Sequence, residues 1–277
     1  MNISYNAWKT YKECPKKFHL EYMKKAPPTV PVNEYFKLYG LLVEKFFEMF
    51  CNIWRFNTAF MPSDMIRDKM NILYKGILDT TTVIWSEPYC KLSSVDIFEE
   101  AVKDVCIIMD SQNQNYFLNT RSEVTIELKL KNGNAITGRL DFIHKDPIFH
   151  DNDTIIDGKG SGKIGKNISD DQIFFYSLLY LFKYGRLPIE AGFFYYRFNT
   201  FIPVPIDEKK INEFRARLSL DIKNIMTNNY LPTPCAKSCK FCNYIEGCSA
   251  GTEAKIKRMK GSRIKHIEGD GLIEFSF

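Results

Sequence analysis

Residues 138–159 read GRLDFIHKDPIFHDNDTIIDGK. The front of this stretch belongs to AITGRLDFI (135–143), which reads as the return strand of a hairpin. The outgoing strand is RSEVTIELKL (121–130), where Val124, Ile126, Leu128 and Leu130 alternate with polar residues at the period of a half-buried strand. Asn132-Gly133 lies between the two and is a strong hairpin signal. The end of the stretch, DTIIDGK (153–159), is a third strand reached through a short polar loop.

The carboxylates on these strands carry the chemistry. Asp157 and Lys159 are two apart, so their side chains leave the same face of the strand. Neighbouring strands run about 4.8 Å apart, which lets Asp141 face Asp157 across one ladder. Two carboxylates and an amine on one exposed face suit a hard divalent cation, Mg²⁺ or Mn²⁺, with positions left for water and phosphate. A lone D-x-K triplet occurs by chance in many chains. The combination is more specific: G-x-x-D on one strand, D-x-K on the next, then a helix carrying Gln172 and Tyr176 on one face at i, i+4.

Outward from this centre the periodicity is helical. Ser169, Asp170 and Asp171 suit the start of a helix through DDQIFFYSLLYLFKY that stops at Gly185. IEAGFFYYRF (189–198) reads as a further strand, and Ile211, Phe214, Leu218, Ile222 and Ile225 mark an amphipathic helix ending near Asn228. Upstream, Ala7, Tyr11, Cys14, Phe18 and Tyr22 share one helical face until Pro27, Pro28 and Pro31 intervene. Phe36, Val43, Phe47, Phe50 and Trp54 stripe a second helix with Glu44 at its flank, and 60–118 reads as mainly helical. The middle is therefore α-β-β-β-α-β, a mixed sheet flanked by helices.

The chain has 277 residues, a formal net charge of +5 and a pI near 8.6, enough length for a real core and a basicity compatible with nucleic acid. No apolar run approaches the roughly 20 residues of a membrane span, and MNISYNAWKTYKECPKKF lacks the apolar core of a signal peptide, so a cytoplasmic protein is expected. In that compartment clustered cysteines ligate metal more often than they form disulfides. CAKSCKFCNYIEGC (235–248) holds four of the eight cysteines. Three readings compete: C-x3-C-x2-C as a radical-SAM motif, two C-x2-C-like pairs as a zinc knuckle, or C-x2-C-x5-C with a fourth ligand from elsewhere. A radical-SAM motif opens a barrel needing on the order of 200 further residues, whereas 29 follow Cys248. Cys51, Cys90 and Cys106 stand singly in apolar surroundings and read as core residues.

Taken in order, CPKKF (14–18), GLLVE (40–44), GRLD (138–141), IIDGK (155–159), QIFFY (172–176) and C-x2-C-x5-C (239–248) resemble the PD-(D/E)XK nucleases of the RecB type. They are similar in particular to the iron–sulfur branch that includes the CRISPR-associated adaptation nuclease and the nuclease domain of AddB. The resemblance covers nearly the whole chain apart from 60–118. It implies a restriction-endonuclease-like α/β core with a helical insertion, Asp141 and Asp157 as metal ligands, Lys159 as the catalytic lysine and the carbonyl of Gly158 as a further ligand. It also makes Gln172 and Tyr176 the supporting, DNA-approaching helix. The early helix of the RecB branch usually offers a histidine; here Glu44 stands in that place, as glutamate does elsewhere in the superfamily, and a carboxylate suits Mg²⁺ better than imidazole. The resemblance further assigns Cys14, Cys239, Cys242 and Cys248 to a [4Fe–4S] cluster, with zinc as the lesser possibility and Cys235 left over.

The implied organisation is 1–26, an N-terminal helix with the first cluster cysteine; 27–118, a helical region containing the Glu44 helix; 119–200, the nuclease core; and 201–277, the last helix, cysteine cluster and basic tail. The implied activity is Mg²⁺- or Mn²⁺-dependent hydrolysis of DNA, an exonuclease acting on ends or single strands, as in repair, recombination, spacer acquisition or phage DNA metabolism. Its expected partners are DNA and a separate helicase or recombination or adaptation protein, with no membrane. Two alternatives stand beside it: a non-catalytic DNA-binding or assembly subunit on a nuclease scaffold, and an RNA endonuclease of the same fold. GKGSGKIGK (158–166) is not a phosphate-binding loop, because Asp157 falls where the first glycine belongs and Ile164 where Ser or Thr is needed. His19, His144, His150 and His266 have no metal-ligand spacing, and the lysines and arginines of the tail serve equally as phosphate contacts or a solvated face.

Overall fold

The computed structural model describes residues 1–28, 35–54, 60–80, 93–111, 115–130, 133–146, 148, 153–165, 168–227, 230–239 and 242–253. Cys90, Asn132, His150 and the segment from 254 onward, with its basic run, His266 and GLIEFSF, lie outside them. In chain order the elements are β1 (Asn2–Ile3), α1 (Tyr5–Glu13), α2 (Pro15–Phe18), α3 (Tyr35–Asn52), α4 (Ser63–Thr80), α5 (Ser94–Ser111), α6 (Asn115–Leu118), β2 (Thr120–Lys129), β3 (Ala135–Lys145), β4 (Asp153–Lys159), α7 (Asp171–Tyr184), β5 (Glu190–Tyr195), β6 (Thr200–Pro203), α8 (Glu208–Met226) and α9 (Ala236–Cys239). They form two compact units: Met1–Tyr5 with Asn33–Leu218, and Asn6–Val32 with Ser219–Phe277.

The first unit is the α-β-β-β-α-β core expected from the pattern, extended by β1 and β6. Its mixed sheet runs β1-β3-β4-β5-β6, with β2 on the other edge of β3. The β2–β3 hairpin is antiparallel in one register from Thr120↔His144 to Lys129↔Ala135. It closes through Leu130 N–H on the Asn134 carbonyl at 2.7 Å, with Gly133 at φ +79°. β4 pairs antiparallel with β3 and parallel with β5; α7 makes the crossover and ends at Gly185 in the left-handed conformation (φ +72°). One face is covered by α3, whose Phe46, Phe47 and Phe50 are essentially fully buried, each worth about 1.5–3 kcal/mol of transfer free energy.

β5 stops sooner than its apolar pattern suggests. Tyr196–Phe198 form a tight 3-10 turn, and Asn199 at φ +43° reverses the chain into β6. Asn tolerates this left-handed conformation better than most residues. The turn takes Tyr196 out of the strand alternation that a longer β5 would impose.

The second unit starts with a helix that does not run through. Pro15 has no N–H, and the residue before a proline is biased to extended backbone. Cys14 accordingly sits at φ −163°, ψ 107°, and α2 begins afresh with Pro15 at its first position. His19–Met23 follow as a π-helix. The N- and C-terminal segments of this unit are tied by Trp8 Nε1–H on Asp221 (2.9 Å), Thr233 Oγ1–H on the Glu13 carbonyl (2.9 Å) and the stacked rings of His19 and Tyr230.

Candidate active site

The register that opposes Phe142 to Ile156 would set Asp141 against Asp157 one step on, but the β3–β4 ladder ends at Phe142↔Ile156. Beyond it β4 pairs only with β5, through Asp157↔Phe193, Gly158↔Phe194 and Lys159↔Tyr195. The carboxylate of Asp141 takes over the lost ladder bond, accepting the Gly158 N–H at 2.8 Å. Opening the ladder at this point leaves room for the acidic groups between two strands.

Asp157 is 2 % exposed. Its Oδ1 accepts from Gln172 Nε2 at 2.7 Å, and its carboxylate forms an ion pair with Lys159. Lys159 Nζ in turn donates to Gln172 Oε1 at 3.0 Å, and Gln172 Nε2 reaches the Tyr176 hydroxyl at 3.4 Å. One amide on α7 thus fixes both the acid and the amine of D-x-K. This is a half-buried ring of complementary donors and acceptors.

Glu44, on α3, lies with Asp141 and a residue that sequence reading did not single out, Glu123. Their ligand oxygens fall within 4.8 Å of one another. Glu123 sits on β2, where the hairpin register (Ser122↔Phe142, Val124↔Leu140) sets it opposite Asp141, and its φ of +54° marks a local break in the strand. The signal was available in the hairpin register, but within RSEVTIELKL the residue reads only as a solvent-facing polar position. Arg139 spans the mouth of the cluster, with Nε 2.6 Å from Glu123 and a terminal nitrogen 3.7 Å from Glu44.

Burial and like charge act together on these acids. The Glu44 carboxyl is pushed up to about 7, chiefly by desolvation and then by Glu123, with Arg139 opposing. Asp141 lies well above the usual carboxylate range, through burial first and then the charges of Asp157 and Glu44. Asp157 is raised by burial against the pull of Lys159. A site that resists its own ionisation in this way, and offers only oxygen donors, suits a hard divalent cation whose charge would relieve both penalties.

The loop after Lys159 is held by close backbone approach. A Cβ at Gly160 would come 3.2 Å from Gly40 Cα and 3.0 Å from the Tyr39 ring, so α3 and the end of β4 meet here. Arg197 stacks on Tyr39 at 3.9 Å, donates to the Gly160 carbonyl at 3.3 Å and pairs with Glu100 at 2.6 Å. Gly40 is one turn ahead of Glu44, so this contact sets the height of α3 against the D-x-K strand.

The profile of the PD-(D/E)XK nuclease superfamily matches residues 2–249. The chain belongs to the PD-(D/E)XK nuclease superfamily. Its α-β-β-β-α-β core, split ladder and acidic group at the split are consistent with that membership. Nineteen solved chains resemble this PD-(D/E)XK protein. One, described as "Crystal structure of SSO0001", is 16% identical, covering 76% of this chain and 96% of that chain with a TM-score of 0.33, a likeness too distant to carry an argument. No curated protein matches the chain. No helix among the described residues is long and apolar enough to cross a membrane.

In the second unit, Cys14, Cys239, Cys242 and Cys248 all line one cavity of about 40 Å³. Cys235 is exposed and outside it, next to Ser238. A Cβ at Gly251 would lie 3.6 Å from the Cys248 sulfur and 3.7 Å from that of Cys239, so the bare glycine leaves the thiols uncovered. Burial raises the Cys242 thiol, with a hydrogen bond from the Tyr244 backbone and then the charge of Lys17 pulling the other way.

Proposed function

We propose that the protein is a Mg²⁺- or Mn²⁺-dependent DNA nuclease that trims ends or single strands as an exonuclease, and that its second unit carries a [4Fe–4S] cluster. The observation that carries the nuclease reading is the bonded set Asp157–Lys159–Gln172 beside the three-carboxylate group of Glu44, Glu123 and Asp141.

Glu44, Asp141, Asp157 and the Gly158 carbonyl would hold the divalent cation. Bound there, such a cation lowers the pKa of water and stabilises negative charge on a phosphoryl oxygen. The chain's own residues do the rest. Lys159, held by Gln172, presents a compact positive charge to the water and the scissile phosphate. Gln172 keeps Asp157 and Lys159 in one plane of contact, and Tyr176 steadies Gln172. Arg139, with 63% of its side chain exposed at the mouth of the acidic group, supplies a bidentate donor to an incoming phosphate.

For the cysteines, the supporting fact is the cavity that Cys14, Cys239, Cys242 and Cys248 line together. Four thiolates suit a [4Fe–4S] cluster, with tetrahedral zinc as the lesser possibility.

The test is a panel of labelled single-stranded, double-stranded and end-blocked DNA with and without Mn²⁺, wild type beside Asp157→Ala. The expected result is Mn²⁺-dependent shortening from free ends that Asp157→Ala abolishes. Cleavage of RNA alone, or equal cleavage by both proteins, overturns the reading.

A further inference from the structure

Tyr196 is a residue that neither the motif order nor the strand pattern draws attention to. It is 3 % exposed, and its hydroxyl is buried without a hydrogen-bond partner among the described residues. The other tyrosines around the sheet are partnered: Tyr176 with Gln172, Tyr180 with Asp153, Tyr39 with Asp104, and Tyr195 accepting the Gly165 N–H. A buried phenol left without an acceptor is costly and calls for a specific explanation.

Its position supplies one. The hydroxyl lies directly against Gly158, whose own N–H is held by the Asp141 carboxylate; a Cβ at 158 would overlap the phenol oxygen. Burial first, and then the charges of Asp141, Glu44 and Asp157, hold the phenol well above its ordinary range, so it stays protonated and is a donor. The ring is stacked on Phe47 at 6.1 Å and edge-on to Phe194 at 5.9 Å. On its flank is a cavity of about 230 Å³, also lined by Phe142 and Ile156, which gives the ring room to settle by a small shift.

We infer that Tyr196 is a positioning residue of the acidic site: its hydroxyl donates to a carboxylate oxygen of Asp141 when the cluster gathers on a divalent cation, fixing that carboxylate for the metal. The inference rests on the metal-site reading above. It accounts for three facts at once: the orphaned donor, the absence of a side chain at 158, and the early end of β5 that turns Tyr196 into the site.

Tyr196→Phe removes the hydroxyl and keeps the ring. Partners that orient metal ligands typically contribute 10–100-fold in metal affinity. The expected result, by calorimetric titration of the full chain with Mn²⁺, is an affinity about 10–100-fold weaker than wild type, with the metal-free melting temperature unchanged or raised. A structural tyrosine predicts the reverse, a lowered metal-free melting temperature with unchanged Mn²⁺ affinity, and that result overturns the inference. So does an affinity within twofold of wild type. Tyr180→Phe, whose hydroxyl is partnered by Asp153 at the start of β4 and which the site does not use, is the comparison and should leave the Mn²⁺ affinity within about threefold. Failure of the wild type to bind Mn²⁺ at all would overturn the metal-site reading itself, a distinct outcome.

Discussion

Gly158→Ala tests how tightly the split ladder is packed. The added methyl would overlap the hydroxyl oxygen and Cζ of Tyr196 and come 3.0 Å from its Cε2. Phe47 and Phe194 pack two sides of the Tyr196 ring, so it can yield only toward the cavity that Phe142 and Ile156 also line. Over-packing that forces a neighbour to shift costs about 1–3 kcal/mol. In a protein of this size 1 kcal/mol moves the midpoint by roughly 2–4 °C, so the expected fall is roughly 2–12 °C. The assay is thermal unfolding of the metal-free protein, with Gly162→Ala as the control. A methyl at 162 meets nothing within 4 Å, so that variant should stay within about 0.5 kcal/mol of wild type. Adding Tyr196→Phe to Gly158→Ala takes away the oxygen that suffers the worst overlap and should recover on the order of 1 kcal/mol, a coupling expected only of residues in contact. If Gly158→Ala melts with Gly162→Ala, or the double variant is strictly additive, the close approach of Tyr196 to the D-x-K strand is wrong.

Three further outcomes are expected. The Glu44 carboxyl, raised in the folded state to about 7, stabilises the metal-free protein fully below its unfolded value near 4.5, and that stability is lost as pH rises through 7. Metal-free denaturant midpoints should therefore fall between about pH 5 and pH 8, Glu44→Gln should flatten the fall, and a rise over that interval would refute the charge arrangement. Lys159→Ala should reduce Mn²⁺-dependent cleavage by on the order of 10²–10³ while leaving far-ultraviolet circular dichroism unchanged; retained cleavage would remove Lys159 from the mechanism. Anaerobically purified protein should be brown with visible absorbance, Cys14→Ser should lose both colour and iron, and Cys235→Ser should keep them; a colourless wild type containing zinc would refute the cluster.

How much was legible in advance differs by residue. Asp141, Asp157 and Lys159 could be placed because strand alternation and D-x-K spacing are local, and the hairpin signal ordered the strands. Gln172 and Tyr176 followed from i, i+4 spacing on α7, and the bonds of Gln172 to Asp157, Lys159 and the Tyr176 hydroxyl agree with it. Glu123 was one register count away: its partner across the hairpin is Asp141, but its own strand gave no reason to choose it over Glu127. Arg139 and Tyr196 carry no local mark. Their place depends on how far β5 runs and how the β3–β4 ladder parts, and both are settled by packing rather than by pattern.

By itself the sequence determined the order of the core strands and helices, the D-x-K face and the helix stop at Gly185, because periodicity and turn chemistry act within a few residues; the helical pattern ran on through Cys14, where the structure instead breaks the helix at Pro15. Only the tertiary structure decided that Glu44, Glu123 and Asp141 lie within 4.8 Å of one another, that Tyr196 presses on Gly158, and that Cys14 shares a cavity with cysteines more than two hundred residues later. Those are meetings of distant chain segments, chosen by burial of the aromatic core and by backbone approach at Gly40 and Gly160. No spacing along the chain encodes them.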